Sequence, residues 1–142
     1  MKKLLSIAGF TVCVLLLFSG CGTEKIETDA DLNTASLLIL DDQGQEILNC
    51  DVTFETGDTV ADILIDAGKD HKIAIAKSGL GSSVYIQSIN GLAEMDKGPY
   101  SGWLYYVNGV KPDASCGSYT VENGDQIEWR YSENYLEEEG AA

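Results

Sequence analysis

The sequence predicts an α+β domain of β-grasp-like layout, a mixed sheet with one helix packed across it, behind an N-terminal export signal. Three observations carry that expectation. Short runs rich in β-branched and aromatic residues, punctuated by Gly, Asn and Asp, fill most of the chain after residue 34. One segment, Val60 to Ala67, repeats its apolar residues at helical spacing. The order strand, strand, helix, then several strands belongs to α+β domains.

The elements follow in chain order. Ala35 to Leu40 is an apolar run that ends at Asp41-Asp42-Gln43-Gly44, a buried strand and its turn. Glu46 to Phe54 returns as the second arm of a hairpin. Thr59 is a good helix N-cap, with Asp62 three residues on in near capping-box register. Val60, Ile63, Leu64 and Ala67 then form one apolar stripe, and Gly68 is the expected stop. Ile73 to Ala76 and Val84 to Ile89 read as short strands, and Gly91 to Tyr100 as a loop broken by Gly98-Pro99. Trp103 to Val107 is a strand on composition. It leads into Asn108-Gly109, the pair that type I′ turns prefer because both positions need positive φ. Tyr119 to Val121 reads as another strand, Asn123-Gly124 as a turn, and Gln126 to Tyr131 as the closing strand. Glu137 onward reads as a frayed acidic tail.

The N-terminus joins a basic Met1-Lys2-Lys3 to an apolar stretch from Leu4 to Phe18, then Ser19-Gly20-Cys21. That is the layout of a secretory signal, and the stretch is shorter than the roughly 20 residues a spanning helix needs. Ser19-Gly20-Cys21 resembles the bacterial lipobox, with Phe18 where Leu is usual. The resemblance implies lipidation (palmitate among the acyl groups) of Cys21, removal of residues 1–20, and a place on the cell membrane facing outside the cytoplasm. Each buried methylene of an acyl chain adds about 0.8 kcal/mol to anchoring. Residues 21–33 are polar and aperiodic, as a tether is. The domain is expected over 34–133 and the acidic tail over 134–142.

The chain has 23 acids against 9 bases, a net charge of −14, which becomes −16 once Lys2 and Lys3 leave with the signal. This balance repels nucleic acid, whose binding rests on phosphate neutralisation by Lys and Arg. It also repels anionic lipid, so membrane attachment is expected through the Cys21 lipid alone. Of the four cysteines, Cys13 falls in the signal and Cys21 is the lipidation site, which leaves Cys50 and Cys116. An oxidising compartment allows a disulfide between them, worth about 4 kcal/mol in the chain-entropy model. Free thiols and a soft-metal pair are the alternatives; two Cys without a CxxC or a paired His give little metal signal.

No catalytic constellation is legible, and the chain is read as not an enzyme. His71 is the only His and sits among Lys69, Asp70 and Lys72. Gly79-Leu80-Gly81-Ser82-Ser83 does not put a Ser between the glycines of a nucleophile elbow. Asp41, Asp42, Gly44 and Glu46 have some look of a calcium loop, but its twelfth position holds Val52 where Glu is needed. No metal site is assigned.

Ser101-Gly102-Trp103-Leu104-Tyr105-Tyr106-Val107-Asn108-Gly109, then Tyr119, then Glu122-Asn123-Gly124-Asp125-Gln126-Ile127-Glu128-Trp129, is similar to the transcobalamin C-terminal-like domain of bacterial lipoproteins. The pattern there is Gly-Trp-x-Tyr-x-Val-Asn-Gly, Tyr, then Asp-Gly-Asp-x-Val-x-Trp; this chain has Asn123 for the Asp and Ile127 for the Val. Gly57 to Leu64 resembles the family's helix entry, and Tyr85 to Leu92 its strand before the long loop. The resemblance implies a β-grasp-like fold and a lipid-anchored surface protein that binds a small ligand, with cobalamin or a related corrinoid foremost; no cofactor is required. It leaves a protein–protein interaction module and a metal-binding surface protein as alternatives. Exposed rings on a rigid sheet could stack on a planar ligand. The candidates are Tyr85, Tyr100, Trp103, Tyr105, Tyr106, Trp129 and Tyr131, with burial in the core as the competing role for the two Trp.

Overall fold

The structure, a computed structural model, describes residues 32–139. Cys21, the signal, and all but the last residues of the expected tether lie outside the described residues. The described elements are β1 (Asn33–Leu40), β2 (Glu46–Phe54), α1 (Val60–His71), β3 (Ile75–Ser78), β4 (Tyr85–Ile89), β5 (Leu92–Ala93), β6 (Gly102–Val107), β7 (Gln126–Ser132) and α2 (Tyr135–Glu139). Among them no helix is long and apolar enough to cross a membrane.

The fold is mixed α+β, with one main helix and two sheets. The larger sheet has the order β2-β1-β7-β6, and the smaller β3-β4-β5. β1 pairs antiparallel with β2 and parallel with β7, so the first and last strands lie side by side in the middle. Strand alternation turns Ala35, Leu37 and Ile39 of β1 to the same face as Ile127, Trp129 and Tyr131 of β7 and Trp103, Tyr105 and Val107 of β6. That face meets Val60, Ile63, Leu64 and Ala67 of α1 and Val84, Ile86 and Ile89 around β4 in one core. Leu37, Ile39 and Leu64 are fully buried, each worth about 1.5–3 kcal/mol of transfer out of water.

α1 begins as its sequence requires. Thr59 and Asp62 form a full capping box: the Thr59 backbone N–H donates to Asp62 Oδ2 at 3.0 Å, and the Asp62 N–H donates to Thr59 Oγ1 at 3.3 Å. The helix does not stop at Gly68. It runs one turn further, to a left-handed Lys72 at φ 59°, and Ile73 N–H then closes on Gly68 O at 2.8 Å. Gly68 serves packing, since a Cβ there would lie 2.6 Å from Ile75 Cγ1.

Four other expectations shift. The strand expected at Ile73 starts two residues later, because Ile73 is spent closing the helix. Tyr119 to Val121 is no strand; it makes a single bridge, Thr120 to Thr59, and bonds the approach to α1 through Val60 N–H to Tyr119 O. The segment after Gly91 is not all loop. Asn90 (φ 53°) and Gly91 (φ 83°) turn β4 into β5. The acidic tail contains α2, where Tyr135 N–H donates to Tyr100 O at 3.0 Å.

Cys50 and Cys116 are free thiols and no disulfide joins them. Cys50 lies on the edge strand β2 opposite Leu37, whereas Cys116 sits beyond β1 and β7, with its thiol 3.5 Å from Val84 O beside β4. Burial raises the pKa of both thiols; for Cys50, Asp51 adds to the effect.

Candidate binding site

β6 is an outer strand of the larger sheet, and β4 crosses near it. The four rings that β6 and β7 send inward are structural. Trp103 Nε1–H donates to Leu92 O at 2.9 Å, Tyr131 O–H to Ala93 O at 2.7 Å and Tyr105 O–H to Ala114 O at 2.6 Å. These bonds tie β5 and the 110–116 loop over the sheet. Trp103 meets Tyr131 edge-on at 5.3 Å between centroids, and Tyr105 lies 5.5 Å from Trp129. Trp129 is 2% exposed, and its Nε1 has no hydrogen-bond partner, the one such buried side-chain nitrogen or oxygen among the described residues.

The packing leaves a recess of about 180 Å³ between β4 and β6. Trp103, Tyr105 and Trp129 line it from the sheet, Val84 and Ile86 from the β4 side, and Pro112, Ala114 and Cys116 from the loop. A second recess of about 310 Å³ adjoins it, with Glu94, Met95, Pro99 and Tyr135 in its lining. Tyr85, Trp103 and Leu104 line both. Tyr85 is half exposed, and its hydroxyl donates to Glu94 Oε2 at 2.6 Å. Burial and then the Glu94 carboxylate push its phenol up to about 12, so the ring is a neutral, oriented surface at physiological pH. Burial likewise pushes Tyr105 to about 12. The Cys116 thiol, raised by burial, is protonated and suited to contact more than to nucleophilic attack.

The structure thus brings together four of the seven aromatic candidates, Tyr85, Trp103, Tyr105 and Trp129. Tyr131 lies in the core, with its hydroxyl 2.9 Å from Ser101 Oγ. Tyr100 is exposed against Tyr135, 6.2 Å between centroids. Tyr106 is on the opposite face, its hydroxyl bonded to Glu138 and its ring 4.8 Å beneath the Arg130 guanidinium. Burial, then Glu138, raises its phenol to about 12. Sequence reasoning missed Val84, Ile86, Pro112, Ala114 and Glu94, which carry no signal without the fold. Between β2 and α1, a depression holds Asp58, Asp66, Asp70 and His71. Among the described residues, however, no three His, Cys, Asp or Glu side chains converge as a metal ion requires.

Comparison with known proteins agrees with this architecture. No match was found among curated proteins. Haptocorrin in complex with Cbi superposes with a TM-score of 0.61 and 22% identity, over 72% of this chain and 26% of that one. The chain therefore spans about a quarter of haptocorrin's length. A protein from Ruminococcus gnavus ATCC 29149 that carries a provisional metal-binding designation superposes at 0.53 with 14% identity, over 72% of this chain and 99% of its own. At these identities the likeness is one of fold. Residues 57–133 match the family described as a domain of unknown function, DUF4430. With that match over more than half of its length, and with a fold shared with part of haptocorrin, the chain belongs to the DUF4430 family.

Proposed function

We propose that this protein is a lipid-anchored surface binding protein, non-catalytic, that holds a small ligand at the recess between β4 and β6, with a corrinoid as the ligand. The observation that carries the reading is the recess itself: about 180 Å³, aromatic and aliphatic in lining, open to solvent beside the exposed ring of Tyr85. Small-ligand sites are concave and mostly apolar with a few polar groups. A cavity of about 150 Å³ accepts one benzene ring. The recess therefore suits a peripheral group of a corrinoid, while the macrocycle rests across Tyr85 outside. Haptocorrin, solved with Cbi, supports the choice of ligand class. This chain corresponds to about a quarter of that protein's length, and contact with one face of the ligand is part of the proposal. Attachment through a Cys21 lipid, facing outside the cytoplasm, is part of the same proposal and is tested by loss of palmitate labelling in Cys21→Ser.

The ligand test is thermal melting and corrinoid absorption of the full chain with cobinamide and cyanocobalamin. A ligand at 100 times its Kd adds about 2.7 kcal/mol to stability and raises the melting temperature. The same shift should vanish in Ala114→Trp, whose new ring fills the recess from an exposed position. No melting or spectral change at high micromolar corrinoid would overturn the reading.

A further inference from the structure

The edge of β6 carries a bounded gap in its hydrogen bonding. Asn108 N–H donates to Gln126 O at 2.8 Å, so these two residues are a bonded pair of the antiparallel ladder. The unbroken register from Val107↔Ile127 to Gly102↔Ser132 then turns the N–H and C=O of Leu104 and Tyr106 toward β7. Those of Trp103 and Tyr105 point outward. The same parity holds on both sides: Val107 N–H donates away from β7 to Val110 O at 2.9 Å, and Ser101 O accepts from Met95 N–H at 2.9 Å. Between these two bonds, the backbone N–H and C=O of Trp103 and Tyr105 have no hydrogen-bond partner among the described residues.

Four unpaired backbone groups at a sheet edge are a template for one more short strand. The recesses lie where such a strand would send its side chains. The first recess is lined by Trp103, Leu104 and Tyr105, and the second by Ser101, Gly102, Trp103 and Leu104. Residues two apart in an added antiparallel strand, opposite Tyr105 and Trp103, share the inward face about 7 Å apart. The one opposite Tyr105 meets the apolar recess. The one opposite Trp103 meets the recess that holds Glu94, Met95 and Tyr135, where Glu94 Oε1 has no hydrogen-bond partner among the described residues. A carboxylate there, in a chain of net charge −14, fits a cationic side chain whose methylenes lie on Met95 and Tyr135.

We propose that β6 accepts an extended peptide segment by antiparallel strand addition, with an apolar side chain in the first recess and, two residues later, a Lys or Arg over Glu94. The proposal goes beyond the small-ligand reading and uses the same recess, so peptide and corrinoid would compete. Strand addition takes its affinity from main-chain bonds and its specificity from alternate side-chain pockets.

The test uses the full chain in detergent and the blocked peptide Thr-Phe-Thr-Lys-Thr, followed by residue-resolved amide exchange. Without peptide, the Trp103 and Tyr105 amides should exchange far faster than those of Leu104 and Tyr106; with peptide, the first two should become protected. Methylating the Phe nitrogen of the peptide removes one main-chain donor and should weaken binding about tenfold. Glu94→Gln, which leaves Tyr85 an acceptor, should remove the preference for Lys over norleucine without changing the exchange of the free chain. Protected Trp103 and Tyr105 amides in the free chain, no added protection at millimolar peptide, or equal affinity for the methylated peptide would overturn the proposal. Corrinoid binding without peptide binding sinks this proposal alone, and peptide binding without corrinoid binding sinks the small-ligand reading alone.

Discussion

Trp103 and Trp129 sit on neighbouring strands, face the same way and line the same recess, yet their indole nitrogens fare differently. Trp103 Nε1–H is satisfied by Leu92 O at 2.9 Å, whereas Trp129 Nε1 is buried without a partner among the described residues. An unsatisfied buried donor costs about 1–3 kcal/mol. In Trp129→Phe that cost disappears and offsets the void left by the smaller ring, so a net loss within about 1 kcal/mol is expected. Trp103→Phe makes a similar void, breaks a bond and leaves β5 held over the sheet by Tyr131 alone, and should lose about 2–3 kcal/mol. Urea unfolding of the two variants separates them, and equal losses would refute the assignment. That both Trp point inward was legible as a competing role in the sequence, because strand alternation puts Trp103, Tyr105 and Val107 on one side. Which side faces the core was not legible. Both carry rings, and only the tertiary placement of α1 and β4 decides.

At the level of elements, local chemistry was read well where one residue settles the backbone. Thr59 and Asp62 cap α1, and Asn108-Gly109 turns at the end of β6 with φ of 53° and 79°. The same dipeptide at Asn90-Gly91 was read as the start of a loop; the strand after it has two residues, too few to show a period. Gly68 misled for a different reason. A helical Gly signals either a terminus or a close approach, and the neighbour that distinguishes them, Ile75, lies seven residues on and reaches Gly68 only once the chain has turned back. The consequence is measurable. Gly→Ala inside a helix ordinarily gains about 0.5–1 kcal/mol. Here the added Cβ would lie 2.6 Å from Ile75 Cγ1 and 3.1 Å from Ile73 O. Gly68→Ala should instead destabilise by about 1–3 kcal/mol. Pairing it with Ile75→Ala should cost less than the two single losses summed. Additivity in urea melts would count against a steric origin.

On the scale of the whole molecule, the two ends of the domain are one structural unit. β1 lies between β2 and β7, Gly124 N–H donates to Thr34 O at 2.7 Å, and Thr34 N–H donates to Asn123 Oδ1 at 2.8 Å. The outer strand β6 belongs to that unit, because β6 is held in register by β7, and β7 in turn by β1. The family match covers residues 57–133, from the approach to α1 through β7, and leaves out β1 and β2. A chain cut to begin at Gly57 would keep both Trp and every residue of the recess named above. It would lose Leu37, Ile39 and Phe54 from the core and uncover the parallel edge of β7. Burial of three such side chains is worth roughly 5–9 kcal/mol, against a total stability of about 5–15 kcal/mol for an ordinary domain. The shortened chain is therefore expected to be unfolded or aggregated, with no dispersed amide spectrum, whereas one starting at Leu32 should melt cooperatively. A folded chain beginning at Gly57 would show that β7 stands without β1, and would detach the β6 edge from the N-terminal hairpin.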